Sequence, residues 1–385
     1  MQAVILAAGE GKRVRPLTKS RPKGLIPVAN RPIIEYAINA LNQAGIRDII
    51  VIAGYRKEQV IRFLNELDPS IEVEVQDKQL GTAHALLCAE SLIKGNFLLL
   101  PGDNYIDPQS IKTIAAHENA MLVKDHPSPS NFGVVSIKDG YVTDIVEKPE
   151  HAPSFTVSTG IFSLTSDVFG YIRNNDITDV IDCMIRDGIR IKALEALDWQ
   201  DALYPWDLIK MNERLLCSIN PEKNGSIHKS AIIQGPVSIG KGVTIGPNTV
   251  ITGPAVIGKD SVIGPHCVIL PDTSIGDRGI IEPFSYIGNS LIMDDVSIGS
   301  HSRITEGIVG EGTQLADHSV IRPCESTMEI EGSLMKAEFG AIIGDQVTGS
   351  PFCAISGSII GNGVIIGRES RKIQGMIIPD DSMVM

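Results

Sequence analysis

Between Lys12 and Lys23 the chain carries six cations and no acid: Lys12, Arg13, Arg15, Lys19, Arg21 and Lys23. The whole chain has a formal net charge of −12, so this charge is concentrated against the general trend. Gly9 and Gly11 stand just ahead of it, where a backbone without side chains can approach a ligand closely. Exposed amides followed by cations suit an anion. Taken alone, such a loop is most often a solvated surface. It is not a P-loop, which needs G-x-x-x-x-G-K-[ST], and G-E-G-K-R-V lacks the third glycine of a dinucleotide fingerprint.

A second chemical arm is carboxylate. Asp103 ends the apolar run "LLLPGDN", and Asp207 follows Trp206 in "YPWDL". An Asp after a Gly is usually a turn residue. Two hard oxygen ligands joined by substrate phosphates are, however, the ordinary way to hold Mg²⁺. Cations for phosphate and carboxylates for metal in one domain point to phosphoryl chemistry.

These residues need elements to position them. In the first half, strand-like and helix-like runs alternate. "AVILAA" (3–8), "DIIVIAG" (48–54), "IEVEVQ" (71–76) and "NFLLLPGD" (96–103) read as strands. "PIIEYAINALNQAG" (32–45), "KEQVIRFLNEL" (57–67) and "TAHALLCAESLI" (82–93) read as helices, the first closed by Gly45. This alternation predicts an α/β, Rossmann-like domain with a mostly parallel sheet. Ligands then bind beyond the carboxyl ends of the strands, where the loop at 9–23 and the turn at 101–104 both fall.

The second half has another period. From Ile227 to Ile287 an isoleucine recurs at every sixth residue, and the phase slips by one at Ile292, Ile298 and Ile304. Hexads of this kind form a parallel β-helix with each Ile pointing into a triangular prism. The phase fails through 322–341, which reads as an insertion leaving the prism, and partly recovers in "IIGNGVIIGRES". The expected organisation is an α/β domain over 1–220, a linker at 221–226 and a β-helix over 227–385. Stacked coils have flat faces that commonly trimerise, so a homotrimer or a multiple of three is expected.

Composition narrows the rest. A pI near 5.2 argues against general nucleic-acid binding, which needs a broad basic surface. Six scattered cysteines without a C-x-x-C pair suggest free thiols in a reducing cytosol. The opening apolar run is far too short for a membrane span and lacks signal-peptide flanks, so a cytoplasmic protein without membrane partners is expected.

The segment "LAAGEGKRVRPLTKSRPKGLIPVANRPIIEY" resembles the signature of sugar-phosphate nucleotidylyltransferases. "QDKQLGTAHAL", "PGDN", "VEKP", "STGIF" and "YPWDL" follow in that family's order, over about residues 1–220. The attached repeat is similar to archaeal-type proteins joining this domain to a left-handed β-helix, some of which also acetylate an amino-sugar phosphate. The resemblance implies transfer of a nucleoside monophosphate from UTP or dTTP to a sugar 1-phosphate of glucose or N-acetylglucosamine type. It implies that Ala8, Gly9 and Gly11 hold the triphosphate, that Arg13 stabilises the leaving pyrophosphate, and that Lys23 holds phosphate oxygens. Asp103 and Asp207 would bind Mg²⁺. Gln76, Gly81 and Thr82 would meet the base, with Gln79 leaning towards a pyrimidine. Gly133, Glu147 and Gly160 would meet the sugar, with Lys148 near its phosphate.

For the second half the same resemblance offers His301 and His318 as bases for acetyl transfer from acetyl-CoA. Against that, the Asn-Leu-Arg-x-Asp stretch of the related acetyltransferases is missing here, although "EFGAIIGDQVTG" (338–349) resembles their later segment. Rival readings are a guanylyltransferase acting on mannose 1-phosphate, and a non-catalytic regulatory scaffold. A scaffold has no reason to keep Arg13, Lys23, Asp103 and Asp207 together.

Overall fold

The computed structural model describes residues 1–368 and 372–385, so the last two residues of "IIGNGVIIGRES" lie outside the described residues. The chain forms two compact units. The first contains 1–10, 21–25 and 33–201; the second contains 11–20, 26–32 and 202–385.

The first unit is built on a nine-stranded sheet. Gln2–Ala7 lies between Asp48–Ala53 and Phe97–Pro101, parallel to both, and Glu72–Val75 pairs parallel outside Asp48–Ala53. The strand order therefore reverses at Gln2–Ala7, the switch point where doubly wound sheets bind ligands. Beyond Phe97–Pro101, Thr156–Leu164 runs antiparallel and begins a mixed half of the sheet. The helix Ile33–Gln43 buries Ile34, Ala37, Ile38 and Leu41, as the helical spacing predicts. Gly45 follows it at φ +86°, a left-handed stop that a glycine takes without strain. "TAHALLCAESLI" is helical only over Thr82–Leu87 and continues as turns.

The second unit is the left-handed parallel β-helix; among the described residues, three parallel sheets of nine, eight and eight strands form its faces. The nine hexad isoleucines from Ile239 to Ile287 are at most 1% exposed, and together they form the prism interior. The phase slip has a simple cause. Ile257 pairs with Ile275 eighteen residues on, but Ile275 pairs with Ile292, so that coil is one residue shorter. The expected insertion is an antiparallel hairpin, Cys324–Ile330 with Ser333–Phe339. The prism resumes when Ile342 and Ile343 pair with Ile308 and Val309.

Two boundaries differ from expectation. The residues read as a linker already belong to the first coil: Ile239 N–H donates to the Glu222 carbonyl at 2.7 Å, and Ser226 N–H to the Val243 carbonyl at 2.7 Å. The helix Asp207–Leu216 belongs to the β-helix unit, not to the first domain. Its buried Asn212 explains why, donating to the Asp272 carbonyl at 2.9 Å and accepting from Ser274 Oγ at 2.8 Å. All six cysteines are free. Among the described residues no helix is long and apolar enough to cross a membrane.

Candidate active site

Lys23 sits in a single helical turn, Lys23–Leu25, and is 9% exposed. Its neighbour Gly24 lies against the turn after Phe97–Pro101, where an added Cβ would come within 2.7 Å of the Gly102 carbonyl. Gly102 is itself fixed to the first strand, its N–H donating to the Leu6 carbonyl at 2.8 Å. Close backbone approach thus brings Lys23 to Asp103, with Nζ 2.7 Å from Oδ2.

A second carboxylate completes the group, and sequence reasoning missed it. Asp201 Oδ1 lies 3.0 Å from Lys23 Nζ. It comes from the short strand Trp199–Asp201, which pairs antiparallel with Asn104–Ile106 so that Asp201 stands opposite Asn104. The available signal was the neighbourhood "DWQDALYPWD", which holds Asp198, Asp201 and Asp207 within ten residues of one another. Burial works to lower the Lys23 pKa, but Asp103 and then Asp201 outweigh it and hold the ammonium above the ordinary lysine range.

Asp207, expected beside Asp103 as a metal ligand, has a local backbone partner. Asp207 falls in the second unit as the first residue of a helix, and its Oδ2 accepts from Tyr204 N–H at 2.9 Å. The rest of "YPWDL" packs there too. Trp206 stacks between Tyr204 and Phe339 at centroid distances of 5.1 and 5.2 Å, and Tyr204 Oη donates to Met335 Sδ at 3.2 Å. The motif anchors the hairpin of the β-helix.

The remaining first-unit candidates fall into local groups. Gln76 is 2% exposed; its Nε2 donates to the Gly81 carbonyl at 3.0 Å and lies 2.9 Å from His84 Nδ1, a residue the sequence reading did not single out. Gly81 has φ +140°, and an added Cβ would lie 2.3 Å from the Asn175 carbonyl oxygen. Thr82 Oγ1 donates to Asp176 at 2.7 Å and accepts from Ile177 N–H at 2.9 Å. Ala8 is 4% exposed and its carbonyl accepts from Tyr55 N–H at 2.9 Å, whereas an added Cβ at Gly9 would meet no atom within 4 Å.

Gly133 stands opposite Glu147 in their strand pair, and an added Cβ there would lie 3.3 Å from Glu147 Oε2. That oxygen accepts from Thr178 Oγ1 at 2.9 Å, and Glu147 Oε1 pairs with Lys148 Nζ. Gly160, at φ +76°, packs on Pro101, two residues before Asp103.

Gly11 and Arg13 belong to the second unit. Gly11 is left-handed at φ +68°, precedes the turn Lys12–Val14 that carries Arg13, and accepts from Thr18 Oγ1 at 2.9 Å. His301 and His318 are also brought together, their rings stacked at 5.1 Å between Phe284 and Phe352.

The nucleotidyl transferase family model matches residues 2–217, and the GMPPB C-terminal domain model matches residues 251–383. The chain is 36% identical to the bifunctional protein GlmU of Methanococcus maripaludis strain S2, over 100% of this chain and 99% of that protein. It is 34% identical to the UTP–glucose-1-phosphate uridylyltransferase AglF of Haloferax volcanii, over 56% of this chain and 96% of that protein. Among solved structures, a Bacillus anthracis protein described as a glucose-1-phosphate thymidylyltransferase matches with TM-score 0.52 and 30% identity, over 58% of this chain and 98% of that one. With the family model spanning more than half of its length, the chain belongs to the nucleotidyl transferase family.

Proposed function

We propose that the protein transfers a nucleoside monophosphate from UTP or dTTP to a sugar 1-phosphate of glucose or N-acetylglucosamine type, releasing pyrophosphate. The observation that carries this reading is the convergence of Lys23, Asp103 and Asp201 just beyond the strand that follows the switch point. The names of the relatives favour a uridine or thymidine nucleotide.

An oxygen of the sugar phosphate attacks the α-phosphorus and pyrophosphate leaves in line. The nucleophile is already anionic, so no strong general base is needed. The barrier lies in bringing two anions together and in the negative charge that spreads as the bond breaks. Lys23 meets the first need with a charge held by its two carboxylates. Arg13, among the loop cations, meets the second at the leaving group. Gln76 and the backbone at Gly81 face the base, and Glu147 with Gly133 and Gly160 face the sugar hydroxyls.

The donor set suits Mg²⁺. Asp103 and Asp201 offer hard oxygens, and among the described residues no cluster of three or more His, Cys, Asp or Glu could hold a metal. Two carboxylates completed by substrate oxygens is the usual arrangement for this ion. When bound, Mg²⁺ supplies positive charge to the phosphate oxygens. Asp201 replaces Asp207 in this assignment.

The test is a panel of UTP, dTTP, GTP and ATP against glucose, N-acetylglucosamine and mannose 1-phosphates, read by pyrophosphate release. Turnover only with GTP and mannose 1-phosphate would select the guanylyl reading. No turnover with any pair would select the scaffold.

A further inference from the structure

The loop Gly11–Ser20 carries Arg13 and packs with the β-helix in the second unit. Residues of the last coils hold it. Ser20 Oγ donates to Asp345 Oδ2, and Lys19 Nζ pairs with Asp380 Oδ2. Between them, Asn362 Nδ2 donates to the Pro16 carbonyl at 3.4 Å.

These three residues also have an architectural duty. They stand at one corner of successive coils, and the Oδ1 of each accepts an N–H from the coil before. Glu311 donates to Asp345 at 2.8 Å, Asp345 to Asn362 at 2.7 Å, and Asn362 to Asp380 at 2.9 Å. The same bond recurs earlier in the stack, from Lys259 to Asp277 and from Asp277 to Asp294. Stacking the corner therefore uses one oxygen of each side chain, and Asn362 demonstrates that an amide serves as well as a carboxylate. The second oxygens of Asp345 and Asp380, with their charge, are directed to the loop.

The other flank of Lys23 is anchored as well. Ala29 N–H donates to Asn212 Oδ1 at 2.9 Å, and Asn30 Nδ2 donates to the Ile275 carbonyl at 2.6 Å. Both Gly11–Ser20 and Ile26–Pro32 thus pack in the β-helix unit, and only Arg21–Leu25 between them packs in the first.

We propose that Asp345 and Asp380 are positioning residues for nucleotidyl transfer: the last coils of the β-helix fix the anion-binding loop through Ser20 and Lys19. This rests on the reading of the loop as the triphosphate site. A loop already held in its binding conformation need not be ordered by the ligand, and the apparent affinity falls with the fraction of molecules in the competent state.

The experiment uses Asp345→Asn, Asp380→Asn, Lys19→Met and the Lys19→Met/Asp380→Asn pair in the full chain. Each Asn keeps the oxygen that stacks the corner. The expected result for the single variants is a rise of about tenfold in KM for the nucleoside triphosphate, with kcat and the sugar-phosphate KM within about twofold. The paired variant should be no worse than Lys19→Met alone, because Asp380→Asn removes no loop contact that Lys19→Met leaves in place. Amide hydrogen exchange over 11–20 should speed up by a similar factor while the coils keep their protection. Wild-type KM and wild-type exchange in Asp345→Asn and Asp380→Asn would overturn the proposal, as would additive effects in the pair. If the unaltered protein shows no transfer at all, the functional reading fails. Loop exchange then decides by itself whether the corner carboxylates hold the loop.

Discussion

Lys23 Nζ lies 3.0 Å from Oδ1 of Asp201, a residue 178 positions further along the chain. The pairing of Trp199–Asp201 with Asn104–Ile106 makes this contact and places Asp201 beside Asp103 on the same ammonium. Asp103→Asn and Asp201→Asn should each lower kcat with Mg²⁺ by about two orders of magnitude or more, as expected for loss of a group that organises charge in the transition state. Asp207→Asn should stay within about twofold of wild type, because an amide oxygen can still accept from Tyr204 N–H. Pyrophosphate release by the three folded variants checks this. A crippled Asp207→Asn beside a normal Asp201→Asn would restore the carboxylate of "YPWDL" to the metal site.

Lys23 is expected to remain charged throughout the working range. Burial opposes its charge, but Asp103 and Asp201 raise its folded pKa above the unfolded value of 10.5. A raised folded pKa contributes stability that is complete below the unfolded value and is lost as pH climbs through the folded one. Lys23→Met should destabilise the protein by about 2 kcal/mol, less than a fully buried pair because Asp103 is partly solvated and screened. The gap from wild type in denaturant midpoint should be flat from about pH 7 to 9 and narrow above about 10.5. A gap that closes between pH 7 and 9 would mean that Lys23 is neutral when the enzyme works.

What was readable in the sequence follows from the range of the interactions. Periodicity is local, so the switch-point strands, the helix Ile33–Gln43 and the hexad isoleucines all fall where spacing puts them. Asp103 was readable because a buried strand followed by Gly-Asp marks a strand end. Asp201 was not, since its role depends on pairing with a strand nearly a hundred residues earlier. Asp207 follows Trp206, whose stack with Tyr204 and Phe339 joins residues more than 130 positions apart and leaves no local signal. The packing of the helix Asp207–Leu216 was not readable for a related reason. No local signal says that a buried Asn212 will bond to a coil sixty residues away.

The prism itself can be probed with adjacent residues. Ile281 is fully buried in its interior, whereas Ile280 points outward and is 42% exposed. Ile281→Ala should cost about 3 kcal/mol, the usual loss for emptying a packed site. Ile280→Ala should change monomer stability by less than about 0.5 kcal/mol. If coils assemble through the outward face that includes Val262, Ile280 and Ile365, light scattering should give a multiple of three chains, and Ile280→Asp should lower the mass. An unchanged mass in Ile280→Asp would put the assembly surface elsewhere.

The histidine pair is predicted to stabilise the β-helix without supporting strong acetyl transfer. His301 and His318 take left-handed corner positions at φ +58° and +60°, and their rings continue a stack that runs from His266 through Phe284 to Phe352. Each ring is therefore covered on both faces, and truncating one breaks two stacking contacts of roughly 0.5–1.5 kcal/mol each. The resemblance implies that an Asn-Leu-Arg-x-Asp stretch would position the amino sugar, and the corresponding region of this chain, 297–320, lacks it. Misplacing a reactant by about 1 Å can cost about a hundredfold in rate, so losing several positioning groups should leave little turnover. Thiol release from acetyl-CoA with glucosamine 1-phosphate or galactosamine 1-phosphate should stay well below about 1 s⁻¹, the low end of ordinary enzymatic rates. His318→Ala should lower the unfolding midpoint and leave pyrophosphate release unchanged at 25 °C, roughly the temperature of the assay. Acetyl transfer at or above that rate, lost in His301→Ala or His318→Ala with stability intact, would make the stack a catalytic site instead.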